Sequence, residues 1–399
     1  MTATAANPAR KDRLERYRTV RARLDPAGDP AAAMASSYIA LPHAVSQRIA
    51  AELALSPASS HLLIGGVGSG KTTELLAVQG QLAELDDQIL VLYLDVSKHH
   101  DIARMVPGAI AVQVGLALAY QLPGDDIRVI VDELERVAHG YWSDYGAEHE
   151  PEDVDYRVHT PGILISPEQV EDSVLRALIP LRQLLAVAGR SHAHLVVLLD
   201  GLDRMSDMAA FDQLVSHDIK ALVDTGIGVV LVGPLRAQYG LDRTIVQRFD
   251  SFHHQPWIDV DQSPGGQAFL RKVLRRRVPE DMAGDDGIAA LVHASGGVLR
   301  DLLALAQAAC VEAYLGGVEQ IGEREVAVAI DTFGRKHLQG LRPAELEVLQ
   351  RVRTKGSFVH TSEDDLALLM TRRVLEYRNH HVRHAVHPTI RDLLASLDR

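Results

Sequence analysis

The run Gly65-Gly66-Val67-Gly68-Ser69-Gly70-Lys71-Thr72 constrains this chain more than any other stretch of it. It follows His61-Leu62-Leu63-Ile64, which reads as a short buried strand, and precedes a helical pattern from about Lys71 to Leu85. The eight residues match G-x-x-x-x-G-K-[S/T] without exception. Glycines let the backbone curl until successive N–H groups point inward at phosphate oxygens, and the helix starting there adds its positive end. Lys71 can then reach the outer phosphates, and the Thr72 hydroxyl can ligate Mg2+. Gly66, Val67, Gly68, Ser69, Gly70 and Thr73 complete the expected cofactor-binding segment. The competing reading is a plain glycine-rich turn.

A second motif supports the first. Leu195-Val196-Val197-Leu198-Leu199 is a continuous apolar strand that ends in Asp200, with Asp203 three residues on. An Asp at the carboxyl end of such a strand can hold Mg2+, usually through water. Asp203 can orient or deprotonate an attacking water, or it can cap a helix. Further strands are expected at Ile89–Val96, Gly228–Val232 and within Phe249–Val260, with helical patterns between them. Val/Leu/Ile runs separated by helices predict a parallel sheet covered on both faces, hence a three-layer α/β domain. After Trp257 the pattern changes to amphipathic helices, Gln267–Arg277 and Val298–Leu315 among them. From about Leu341 it becomes helix, helix, hairpin and helix, with a turn at Asn379-His380.

Composition then removes several classes of function. The single cysteine, Cys310, excludes an internal disulfide framework and a Cys-based zinc site, and it fits a cytoplasmic protein. No secretory signal is visible at the start, and the apolar runs are too short to span a bilayer. The net charge of −12 argues against a surface that is basic all over. Nearly all of that charge sits in residues 121–172, where 14 acidic side chains face 3 arginines. This segment, together with its weak periodicity, reads as an acidic insertion with a long loop, followed by a helix at Pro167–Ala188. Residues 1–35 form a basic arm with a thin stripe of Leu14, Tyr17, Val20 and Leu24. That arm is expected either as a solvated helix or as a docking or nucleic-acid arm.

The phosphate loop and the Asp200-Gly201-Leu202-Asp203-Arg204 run resemble those of prokaryotic AAA+-type P-loop ATPases. The clades most similar are the origin-recognition-like and the STAND signalling ATPases. Gly228 to Arg236 lies where that family has its sensor-1 strand, Gly296 to Leu302 is similar to its sensor-2 turn, and the C-terminal unit resembles a winged helix. The resemblance implies a P-loop core over 36–260, a helical lid over 261–340 and a winged-helix-like domain over 341–399. It also implies ATP/ADP and Mg2+ as cofactors, bound between core and lid. Expected catalytic residues are Lys71, Asp200, Asp203, Arg300 and Arg236, with Thr72 and Asp200 on the metal.

Two departures qualify this. Gly201 stands where many members have Glu, which points to slow turnover, and Gly233-Pro234 replaces a polar sensor. Arg236 can stand in for that sensor or form a structural salt bridge, and Arg300 can face phosphates or pair with Asp301. Arg243 or Arg248 is a candidate for a finger reaching the nucleotide of an adjacent subunit. Tyr38, Ile39 and Pro42 could line an adenine pocket or simply pack in the core.

In the C-terminal unit, Arg372, Arg373, Arg378 and Arg383 could touch DNA phosphates, or the unit could dock on the rest of the chain. His360, His380, His381, His384 and His387 match no fixed zinc motif. The function expected is an ATP-binding, ATP-hydrolysing switch that self-associates or engages a protein partner. The alternatives are a DNA-binding ATPase of origin-recognition or transposition-helper type, and a nucleotide-holding scaffold.

Overall fold

Four of the five strands follow apolar runs, and the last, Ser251–Gln255, does not. In the computed structural model, five strands form one sheet: β1 (Ser60–Gly65), β2 (Ile89–Asp95), β3 (His194–Asp200), β4 (Gly228–Val232) and β5 (Ser251–Gln255). The structure describes residues 8–28, 30–41, 44–124, 127–138, 170–359, 362–378 and 381–397. The strand order is β2-β3-β4-β1-β5. The pairs β2–β3, β3–β4 and β4–β1 are parallel, with Asp95 opposite Asp200 and Leu62 opposite Leu231. This is an α/β fold built on a largely parallel five-stranded sheet with helices packed against it. Its central strands β1, β3 and β4 are buried on both faces, as their Val/Leu/Ile runs require, whereas the edge strands β2 and β5 are partly exposed.

The described residues divide into two compact units, one of Ala44–Ile64 with Lys71–His254, the other of Met1–His43, Gly65–Gly70 and Gln255–Arg399. The first unit carries the sheet. One face is covered by the helices Val45–Leu55 and Lys71–Leu85, whose Ile49, Leu53, Leu75, Val78 and Leu82 pack on Leu63, Val196, Leu198, Val230 and Val232. Helices at Ala109–Ala119, Arg128–Ala138 and Val170–Ala188 also belong to it. The expected acidic insertion begins with the helix Arg128–Ala138, while the long loop expected within it falls in residues 139–169, outside the described residues. Asp218, fully buried in a π-turn, accepts hydrogen bonds from the N–H groups of Gly108, Ile110 and Ala111. It thereby satisfies the orphan donors at the start of the Ala109–Ala119 helix.

The second unit is helical. Helices at Pro264–Arg275, Asp285–Ala294, Leu299–Gly316 and Glu323–Leu338 share a core of Leu270, Leu274, Leu291, Leu302, Leu305 and Ala309. The N-terminal helix, Pro8–Arg23, belongs to this core. Tyr17, Val20 and Leu24 are buried in it, and the Tyr17 hydroxyl donates to Val318 O at 3.0 Å. Arg16 pairs with Asp281 and Glu319, and Arg13 donates to Gly317 O. The arm is thus packed rather than solvated, because three apolar side chains on one helical face are enough to dock it.

The C-terminal elements are helices Pro343–Lys355 and Glu363–Met370, an antiparallel hairpin of β6 (Val374–Arg378) and β7 (Val382–Val386), and helix Pro388–Leu397. The sequence pattern extends the second of these helices to Leu375. The chain instead leaves it at Met370, turns through Arg372 at φ +61°, and enters β6. The expected turn pair Asn379-His380 lies outside the described residues.

Candidate nucleotide site

In the sheet unit, β3 delivers Asp200 to the strand's carboxyl end, 5% exposed. Its carboxylate accepts from Gly201 N at 2.8 Å and from the Tyr93 hydroxyl at 3.0 Å, and the Thr72 side chain lies beside it. Burial pushes the Asp200 carboxyl above its ordinary range, and neighbouring Asp203 adds to that. Thr72 beside it and the hydrogen bonds from Gly201 and Tyr93 oppose the rise. Thr72 and Asp200, distant in sequence and both assigned to one Mg2+, are therefore side by side. Tyr93 escaped the sequence reading, because nothing in a β2 pattern tells which alternate residue faces Asp200; the in-register pairing of Asp95 with Asp200 decides it.

Lys71, 5% exposed, meets Asp203 at 2.9 Å. Asp203 lies inside the Leu202–Arg204 3-10 turn, whose N-cap is Gly201, so the reading of Asp203 as a helix cap is corrected. Gly201 itself has φ +88°. A Cβ there would come within 2.7 Å of Asp95 Oδ1 and 2.9 Å of Ser97 Oγ. The absence of Glu at this position thus has a backbone cause: the chain turns left-handed against the Asp95–Ser97 turn.

Arg236 sits half-buried on the 3-10 turn Leu235–Gln238 that follows β4. Arg248 is paired with Asp212 at 3.0 Å and with Ser216 inside its own unit, and 45% of its side chain is exposed. The side chain of Arg243 lies outside the described residues, as does Pro42.

The glycine loop is built by close approach. Gly68 and Gly70 have φ +80° and +99°. A Cβ on Gly66 would strike the indole of Trp257, and one on Gly68 would lie 2.7 Å from Arg300 Cβ and 2.9 Å from Val298. Trp257 Nε1 donates to Val67 O at 3.2 Å. Ser69 Oγ is buried without a hydrogen-bond partner, an acceptor and donor left over inside the loop. The chain runs from Gly70 directly into Lys71, Thr72 and Thr73 at the first turn of the Lys71–Leu85 helix.

Arg300 begins the Leu299–Gly316 helix, after a turn in which Gly296 and Gly297 both have positive φ. That turn is fixed by the hydrogen bond from Ile258 N to Gly297 O at 3.3 Å and by the Tyr377 hydroxyl donating to Gly296 O at 2.8 Å. Trp257, Val298, Leu375 and Tyr377 form one small buried cluster. Asp301 does not pair with Arg300: it accepts from Arg372 at 2.8 and 3.1 Å, with His387 Nε2 at 3.5 Å. Ile39 packs on the helical core, the plainer of its two expected roles, and Tyr38 is half-buried.

The four C-terminal arginines all have partners inside this unit. Arg372 holds Asp301, Arg373 donates to His337 O and Gln339 O, Arg378 pairs with Glu376, and Arg383 grips Asp259 and Asp261 while lying over the Tyr377 ring. Of the expected alternatives, the geometry therefore matches docking within the chain. His384 pairs with Glu376, His387 with Thr389, and His381 is exposed; His360 and His380 lie outside the described residues.

Neither a family model nor a curated protein sequence matches the chain. Among solved structures it is similar to Drosophila ORC bound to DNA, at 12% identity and TM-score 0.45, over 100% of this chain and 95% of that one. It is also similar to the Aeropyrum pernix ORC1 protein in complex with DNA, at 15% identity and TM-score 0.46, over 94% and 96%. The Thermotoga maritima RuvB Holliday junction branch migration motor follows at 11% identity and TM-score 0.42, over 88% and 95%. Among the described residues, no helix is long and apolar enough to cross a membrane.

Proposed function

We propose that this chain is an AAA+/STAND-like ATPase switch: it binds ATP or ADP with Mg2+ at the Gly65–Thr73 segment, hydrolyses ATP slowly, and transmits nucleotide state to its C-terminal unit. The observation that carries the reading is the buried Asp200 carboxylate at the end of β3, with Thr72 of the first turn after the phosphate loop beside it and the Lys71–Asp203 pair at 2.9 Å. The residues fit the cofactor. Gly68 and Gly70 take the left-handed backbone of a curled loop, Ser69 Oγ is an unused buried polar atom, and a carboxylate and a hydroxyl stand together for a hard cation. Mg2+ held by Thr72 and Asp200 would neutralise charge on the phosphate oxygens.

The chain's own residues then divide the remaining work. Lys71 brings a buried cation to the outer phosphates, and Asp203, now its partner at 2.9 Å, is the carboxylate available to orient or deprotonate water. With Gly201 supplying no side chain, one carboxylate does this alone, which supports slow turnover. Arg300 and Arg236 are the candidate cations for the developing γ-phosphate charge. Transmission would pass from Gly66 and Val67 to Trp257, and through Val298 and Tyr377 to β6 and β7. A partner or further copies of the chain would read that change.

Two measurements test the reading. Asp203→Asn should lower ATP turnover by about a hundredfold while changing nucleotide affinity far less. Turnover equal to the wild type removes Asp203 from the mechanism. ADP retained through purification together with no steady-state turnover would instead favour a nucleotide-holding scaffold.

A further inference from the structure

At the opposite end of β1 from the phosphate loop lies a second constellation, wholly inside the sheet unit. Glu52 comes from the Val45–Leu55 helix, His61 from β1 and His253 from β5. His61 Nδ1 and His253 Nε2 are 3.1 Å apart, and Glu52 Oε2 lies 3.6 Å from the first and 3.4 Å from the second. Both histidines are at least 95% buried, whereas Glu52 keeps a partial opening to solvent, with 28% of its side chain exposed. Among the described residues this is the group of His, Cys, Asp and Glu whose donor atoms converge closely enough to share one cation. We propose that Glu52, His61 and His253 form a binding site for a tetrahedral divalent transition-metal ion of the zinc class, with its fourth position left to water or an added ligand.

Three observations carry this. The first is spacing. Zinc bonds to nitrogen and oxygen of about 2.0–2.1 Å in a tetrahedron place donors about 3.3–3.4 Å apart, and the three edges here are 3.1, 3.4 and 3.6 Å. The second is the tautomer of His61. The Ser59 hydroxyl donates to Ser56 O at 2.6 Å, so Ser59 Oγ must accept from His61 Nε2, 2.7 Å away. The proton of His61 is therefore on Nε2, and the lone pair of Nδ1 faces the centre of the triangle. The third is Glu52. Arg48 Nε donates to Oε1 at 2.8 Å and orients the carboxylate, while Oε2 is buried at the centre with no hydrogen-bond partner.

Two imidazoles and a carboxylate are the His2Glu donor set that zinc accepts with an open fourth position. Bound there, the ion would clip the short edge strand β5 and the Val45–Leu55 helix onto β1. A histidine–histidine hydrogen bond is the competing account of the 3.1 Å contact. It leaves Glu52 Oε2 unpartnered, whereas a cation satisfies all three atoms.

The full-length chain, stripped with a chelator, tests this directly. Titration with Zn2+ should show one equivalent bound tightly, with a rise in melting temperature, and Co2+ should give the intense visible bands of a tetrahedral N/O site. His253→Ala and the milder Glu52→Gln should each weaken that equivalent at least tenfold, whereas His293→Ala, at an exposed histidine, should not. No tight equivalent, weak octahedral Co2+ bands, or a tight equivalent unaffected by both Glu52→Gln and His253→Ala would overturn the proposal. Glu52→Gln keeps size and hydrogen-bonding capacity, and the Co2+ spectrum is read on the unaltered chain. Both readouts therefore decide the matter even if His253→Ala fails to fold. Nucleotide binding plays no part in them, so they stand or fall apart from the ATPase reading.

Discussion

At the scale of single residues, backbone conformation explains what composition cannot. Gly201 looks like a lost catalytic Glu, yet its φ of +88° and the 2.7 Å approach to Asp95 Oδ1 show a position that excludes side chains. Gly201→Glu should therefore not restore fast turnover, and should destabilise the chain by about 1–3 kcal/mol through left-handed strain plus the displaced Asp95–Ser97 turn. Urea unfolding and steady-state turnover check both halves. Arg383 shows the same lesson from the other side. It reads as a DNA-contacting arginine, but Asp259, 1% exposed, depends on it for charge balance. Arg383→Ala should cost about 3 kcal/mol, because a buried carboxylate loses its counter-charge and keeps only the N–H bonds of Asp261 and Gln262. Duplex affinity should change little, measured as binding at several salt concentrations.

At the scale of elements, the central strands and the phosphate-loop helix were legible because burial on both faces forces unbroken apolar runs. The helix Lys71–Leu85 and strand Gly228–Val232 match their expected bounds. Less legible were the helices Ala109–Ala119 and Arg128–Ala138. The first is apolar almost all round and has no helical stripe; the second does carry a stripe of Ile130, Val131, Leu134 and Ala138, but it lies in a segment read as a whole by its acidity. The residues that finish the site, Tyr93 and Trp257, were invisible for another reason. Their roles depend on register and on long-range approach, which no local pattern encodes.

The buried Asp218 gives a prediction at this scale. Burial lifts its carboxyl to about 6, against the pull of three N–H donors. The folded state therefore holds this proton more tightly than the unfolded chain, whose carboxyl titrates near 4. Stability from this group is accordingly fullest below about pH 4 and declines as pH rises from about 4 to 6. The stability advantage of wild type over Asp218→Asn should shrink between about pH 4.5 and pH 7 in urea titrations. An advantage that grows over this range would contradict the assignment. Asp218→Ala should cost about 1–3 kcal/mol at neutral pH, because the N–H groups of Gly108, Ile110 and Ala111 lose their acceptor.

At the scale of the whole molecule, the C-terminal hairpin is tied to the turn that carries Arg300, and Trp257 lies on the glycine loop in the same small cluster. If nucleotide moves that loop, the Trp257 indole reports it. Fluorescence of a Trp142→Phe variant, which leaves Trp257 as the single tryptophan, should change on adding Mg-ATP. Tyr377→Phe, which deletes the bond to Gly296 O, should reduce any nucleotide-dependent assembly more than it reduces nucleotide affinity. An unchanged assembly equilibrium, read as particle mass with and without ATP, would break that link.

The central claim, that Thr72 and Asp200 complete a Mg-nucleotide site with Lys71, is tested most directly by calorimetric titration of ATP and ADP with and without Mg2+. The account predicts one Mg-dependent nucleotide site per chain, lost in Lys71→Ala while the fold is retained. Absence of Mg-dependent binding in the wild type, or equal binding by Lys71→Ala, would contradict it.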